Sequence, residues 1–188
     1  MNKFISGIEN LSKWYGFGII VLYSLLLAEF YSTVTALFIS AELQSENIFI
    51  IFSRISYALT ILSGVIIWVV LSFLFHLTAL LFNGQAQFKR FLYPAAYPYF
   101  VPAVFILAGI LLMDNVQIPE TKDIAAALMD NAQFKLSMQL MNYSFIPYYL
   151  IVAVFIKNIY NIKYIYSFLS VAIPIVAIWG ITELFKLV

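Results

Sequence analysis

The chain has 188 residues, a hydrophobic fraction of 64%, charged residues at only 10% and a formal net charge of +1, with a mean hydropathy of +0.97. Such a composition excludes a soluble globular domain or a disordered chain and belongs to the membrane class. Near-neutral charge with dispersed Lys and Arg excludes a nucleic-acid surface, and the lack of Cys excludes a disulfide framework or thiol chemistry.

The first element lies ahead of the first long apolar run. Phe4, Ile8, Leu11 and Tyr15 share one helical face, with Lys3, Glu9 and Lys13 elsewhere around the turn. This predicts a cytoplasmic interfacial amphipathic segment over residues 1–14, with Trp14 at headgroup level; the alternative is a frayed tail, since helices this short are marginal alone.

Residues 15–188 form a single predicted transmembrane domain. Its first span is predicted over Tyr15 to Ser40, too long for a secretory h-region and therefore a retained helix. Glu29 stands near its middle, roughly 20 Å from the inner end. A carboxylate at that depth is a functional hypothesis by default, against the structural alternative of a protonated Glu bonded to a neighbouring helix. The second span runs over Arg54 to Leu81, and no Asp, Glu, Lys or Arg interrupts the sequence between Arg54 and Lys89. Ser56, Thr60 and Gly64 form a small-residue stripe along it, of the kind that packs helices closely. His76 lies about 9 Å from its inner end, too far from Glu29 for a direct pair.

The third span, Phe91 to Met113, carries Pro94, Pro98 and Pro102 at four-residue intervals. On an α-helix these stack on one face and free the carbonyls of Arg90, Pro94 and Pro98. His76, Tyr93, Tyr97 and Tyr99 are donors at a similar depth, which predicts a polar, partly hydrated seam between spans two and three, with His76, Tyr97, Pro98 and Pro102 in it. The alternative is a simple kink with a snorkelling His76. An acidic outer loop follows, in which Pro119, Glu120, Thr121 and Asp123 suit a helix start and Ile124, Ala127 and Leu128 continue it. The fourth span is predicted over Asn142 to Ile156 and the fifth over Tyr164 to Thr182.

The fold expected is an all-α membrane protein: a bundle of five transmembrane helices, with a short N-terminal interfacial helix and a short helix in the outer loop. The positive-inside bias of Lys89, Arg90, Lys157 and Lys163 predicts a cytoplasmic N terminus and an extracytoplasmic C terminus in the cell membrane. No catalytic constellation, metal set or cofactor motif stands in the sequence: a lone His without Cys is a poor zinc site, and Asp114, Asp123 and Asp130 fall in the outer loop, far from His76.

Two stretches carry a family resemblance. One runs from His76 through Asn83, Gly84, Phe88, Lys89 and Arg90 to Tyr97, Pro98, Tyr99 and Pro102; the other, within Tyr148 to Ser167, holds Lys157, Asn158, Ile159, Tyr160 and Asn161. Together with the five spans they resemble the Yip1-domain integral membrane proteins, over about Ile61 to Thr182. Eukaryotic members of that family bind small GTPases and one another through a long cytoplasmic N-terminal region. The short segment here is similar instead to the bacterial branch, and the resemblance implies a non-enzymatic adaptor or accessory subunit, with an ABC-type export system as partner. The partners expected are the lipid bilayer, other membrane proteins and further copies of the chain, with no cofactor. The alternative is a small transporter or channel acting as an oligomer, with Glu29 and the proline-broken third span near its path.

Overall fold

In the computed structural model the described residues are Gly7, 12–39, 47–116 and 124–186. Every regular element among them is helical. Five stretches are long and apolar enough to cross a membrane: Lys13–Phe38, Asn47–Leu81, Phe88–Met113, Ala132–Tyr160 and Tyr164–Lys186. The chain is a multi-pass membrane protein with the number of spans its sequence predicts. Most of the predicted N-terminal amphipathic segment, and Pro119 to Asp123 of the loop helix, lie outside the described residues.

The helices are α1 (Lys13–Phe38), α2 (Asn47–Leu81), α3 (Phe88–Leu92), a 3₁₀ segment (Pro94–Tyr99), α4 (Phe100–Met113), α5 (Ile124–Asp130), α6 (Ala132–Tyr143), α7 (Phe145–Tyr160) and α8 (Tyr164–Lys186). Three differ from the sequence expectation. The second span starts at Asn47 rather than Arg54, giving a helix of roughly 50 Å, longer than a hydrocarbon core of about 30 Å. Arg54 is exposed on that helix, where a long cationic side chain can reach toward the interface while its stem lies on lipid.

The fourth span starts at Ala132 rather than Asn142. Asn131 caps α6, accepting from the backbone N–H groups of Gln133 (2.9 Å) and Phe134 (3.0 Å). Phe134 and Ser137 then give the helix a buried side that its polar residues conceal in the sequence. The span breaks at Ser144, because Pro147 has no N–H to return to the carbonyl of Tyr143.

The third span is not one α-helix. With its ladder interrupted, the chain tightens into a 3₁₀ turn over Pro94–Tyr99, and the Ala96 N–H reaches the Tyr93 carbonyl at 3.1 Å. At three residues per turn the proline interval no longer keeps Pro94 and Pro98 on one face.

The chain resolves into two compact units. The first comprises residues 1–19, 66–98 and 146–188, the second residues 20–65 and 99–145. In the first, Phe75, Ala79, Phe91, Ala96, Tyr148, Val152, Ile156 and Tyr160 form the core. Lys13 lies 5.1 Å over the Tyr93 ring, and Thr78 on α2 donates to the Ser170 carbonyl on α8 at 2.6 Å.

In the second unit, α4 and α6 pack along each other, and the Ser137 hydroxyl donates to the Gly109 carbonyl at 2.9 Å. Tyr23 meets the rings of Tyr99 at 4.9 Å and Phe145 at 6.4 Å. Gly64 on α2 sits directly against Ser24 on α1: a Cβ at position 64 would lie 2.9 Å from the Ser24 Cβ. The small-residue stripe thus makes a close helix crossing at Gly64. Gly64→Ala is expected to cost about 1–3 kcal/mol, the usual toll of overpacking, read as a lowered midpoint of thermal unfolding in detergent. Moving the glycine across the contact, with Ser24→Gly in the Gly64→Ala background, should recover part of it; a fully stable Gly64→Ala single variant would refute the crossing.

Candidate functional site

The first site grows out of two helix ends. α2 stops where Asn83 turns into the left-handed region at φ 62°, a conformation Asn tolerates better than most residues. The Asn83 N–H returns to the Leu80 carbonyl and the Gly84 N–H to the Ala79 carbonyl, both at 3.0 Å. That is the Schellman pattern, which satisfies carbonyls the helix leaves open. α7 also ends at a left-handed asparagine, Asn161 at φ 56°.

Tyr160, the last residue of α7, ties the two ends together. Its carbonyl accepts from the Gln85 N–H at 3.4 Å, and its hydroxyl shares a 2.5 Å hydrogen bond with His76 Nδ1. With the imidazole proton on Nε2 the phenol is the donor. The Tyr160 ring meets Phe91 at 5.6 Å and His76 at 5.7 Å, and Phe88 covers the imidazole at 5.3 Å. Gly84 lies so close that a Cβ there would stand 2.7 Å from the Ala79 carbonyl oxygen and 2.8 Å from the Tyr160 ring.

Above this junction is an open recess of about 480 Å³, lined by Asn83, Gln85, Arg90, Asn158 and Asn161 over Tyr160. Asn158 donates its amide to the Val154 carbonyl at 2.6 Å. Lys89 is exposed beside the recess, and Lys157 lies over the Tyr164 ring at 4.3 Å. The two stretches that carry the family resemblance therefore meet here. The arrangement offers carboxamide donors and acceptors with one guanidinium, groups that pair with peptide or carboxylate surfaces.

The second site lies within the other unit, between α1 and α2. A groove of about 280 Å³ is walled by Ser32 and Thr35 on one helix and Ser53, Ser56, Tyr57 and Thr60 on the other. Thr35 donates to the Tyr31 carbonyl and Thr60 to the Ser56 carbonyl, so both hydroxyl hydrogens are engaged within the helices and their oxygens remain acceptors. Glu29 is exposed beside the groove and accepts from the Tyr57 hydroxyl at 3.2 Å. Among the described residues no ion pair forms to it. A carboxylate at that level costs about 2.5–3.5 kcal/mol on insertion scales, more than one hydrogen bond from a neutral phenol returns.

Comparison with known protein families, curated proteins and solved structures finds no match to this chain.

The residues singled out in the sequence are thus divided. His76 is buried and bonded to Tyr160 of the fourth span, with Phe88 of the third against its ring. Tyr97 donates to the Ser12 carbonyl at 3.3 Å, and Pro98 is buried in the 3₁₀ turn. Pro102 is buried in α4, and Glu29 has Tyr57 as its partner. Tyr160 and Tyr57 received no role from the sequence. Tyr160 carried a usable signal, since it precedes an Asn at a helix stop just as Phe82 precedes Asn83; Tyr57 carried none beyond its position one turn from Thr60.

Removing either partner of the buried bond should destabilise the first unit. Tyr160→Phe and His76→Leu are each expected to lose about 1–2 kcal/mol, while the double variant loses less than the sum because the two share one interaction. Additive losses in detergent unfolding, or an unchanged His76→Leu protein, would show that the bond is not a structural tie.

Proposed function

We propose that this chain is a non-enzymatic multi-pass membrane adaptor or accessory subunit, similar to short bacterial-type Yip1-domain proteins, which holds a membrane partner complex of the ABC-type export class. The recess over Tyr160 carries the reading. Its lining comes from two helix ends, one fixed by Schellman bonds, and both tied by the Gly84 contact, the Gln85 to Tyr160 backbone bond and the His76 to Tyr160 bond, so the backbone that carries its hydrogen-bonding groups is held in place before a partner arrives. Preorganisation of that kind favours binding by reducing the ordering cost. Carboxamides neither attack nor titrate, and they suit recognition rather than turnover.

The recess sits at span ends next to Lys89, Arg90, Lys157 and Lys163. By the positive-inside bias it faces the cytoplasm of a cell membrane, with the N terminus on the same side and the C terminus opposite. A peripheral or cytoplasmic part of the partner would dock there.

The test is retention of a complex by the tagged full chain, expressed at native level and extracted into nanodiscs. A stoichiometric membrane complex containing an ATPase subunit is expected with the unaltered chain. Roughly tenfold less should remain with a Gln85→Ala/Arg90→Ala variant whose unfolding midpoint matches the unaltered chain. Recovery of the chain alone, or undiminished retention by the variant, sinks the proposal. A solute flux in liposomes that vanishes with Glu29→Gln would select the alternative, an oligomeric transporter.

A further inference from the structure

The groove between α1 and α2 is not used by the recess reading, and its chemistry points to a particular occupant. Glu29 is a carboxylate on the outward face of a membrane helix, about 24 Å along α1 from Lys13 and about 14 Å from Phe38. Tyr57 gives it one hydrogen bond but no charge. Thr35 and Thr60, with their hydrogens engaged at home, add acceptor oxygens to the same groove. Glu29, beside this lining, is the group that asks for a donor carrying positive charge.

The surface also has the form a helix fits. Leu22, Leu25, Glu29 and Ser32 follow one another at steps of three, four and three along α1, the spacing of a heptad seam. Leu22 and Leu25 are 45% and 40% exposed, Glu29 is exposed and Ser32 lines the groove. Across the groove the small side chains Ser53, Ser56 and Thr60 leave room for a backbone to approach. Phe52, 66% exposed, stands at the rim.

We infer that the exposed face of α1 at the edge of this groove is the docking seam for a partner's transmembrane helix carrying a single Lys or Arg at mid-membrane, which pairs with Glu29 while Leu22, Leu25 and Ser32 receive the flanking turns. The inference rests on the adaptor reading and names a second contact for it, made within the bilayer. An isolated cation on the partner helix and an isolated carboxylate here are each costly in lipid. Association relieves both at once, so the pair sets partner choice as well as affinity.

The probe is a synthetic Leu/Ala transmembrane peptide with one central Lys, compared with the same peptide bearing Leu there. Energy transfer to the labelled full chain in phosphatidylcholine vesicles reads the binding. The Lys peptide should bind roughly tenfold more tightly than the Leu peptide. Glu29→Gln, nearly isosteric, should reduce it to the level of the Leu peptide, and Ser32→Phe should exclude both. Glu29→Lys should in turn prefer a peptide with a central Glu, which shows that the variant folds and that charge sets the choice. Equal binding of Lys and Leu peptides, or undiminished Lys binding by Glu29→Gln, overturns the inference. So does displacement of the Lys peptide by octylammonium at equal concentration, since the groove would then be a site for small amphiphiles. Gln85→Ala/Arg90→Ala separates the two readings: if it releases the native complex while Lys selectivity is absent, the recess stands and the seam falls. If no complex is ever retained but Lys selectivity holds, the adaptor reading falls and the seam's specificity stands.

Discussion

A peptide group in hydrocarbon has no water to bond, and the rest of this structure is an answer to that constraint. Long helices satisfy most of the chain, so the informative places are those where a helix stops or breaks. Each is repaired locally. At the end of α2, two turn bonds and the left-handed Asn83 satisfy the last carbonyls. At the prolines of the third span the chain shifts to 3₁₀ bonding rather than leaving a row of bare carbonyls. At the start of α6 the Asn131 side chain stands in for the missing turn. Ser and Thr hydroxyls inside the spans return to carbonyls three or four residues earlier, as with Thr60 and Ser170.

Tyr160 shows how one side chain can serve several such repairs. Its carbonyl is among those α7 cannot satisfy internally, and Gln85 takes it. Its hydroxyl would be costly to bury alone, and His76 takes that. Its ring then fills the space that Gly84 leaves open. A larger residue at position 84 would move the ring, and the ring carries the hydroxyl and its bond to the imidazole. The polar recess is therefore fixed by packing beneath it, not by its own exposed groups.

The spans were legible because a long run without charge, in a chain this apolar, has little use except to cross a bilayer, and five were found where five were expected. Their limits were less so. Arg54 reads as a boundary only if a cation must leave the helix, whereas it stays on α2. Gln133, Lys135 and Gln139 hide α6, since hydropathy registers their polarity and not the buried side formed by Phe134 and Ser137. The partner of His76 could not be read at all. Tyr160 lies 84 positions away, and a single sequence gives the periodicity of each helix but not which helices meet. The Gly64 stripe was informative about close packing and silent about Ser24, for the same reason.

His76 and Glu29 looked alike in the sequence, as rare ionisable groups in apolar spans, yet the structure treats them differently. An imidazole can remain neutral, so the Tyr160 phenol and the Phe88 ring account for it within the chain. At Glu29 the Tyr57 hydroxyl donates one hydrogen bond and brings no charge. In lipid a carboxylate at that level calls for a cation. Among the described residues the chain supplies none. Glu29 thus directs attention outward, to what lies against α1 in the membrane, while His76 directs it inward, to the junction that holds the recess in place.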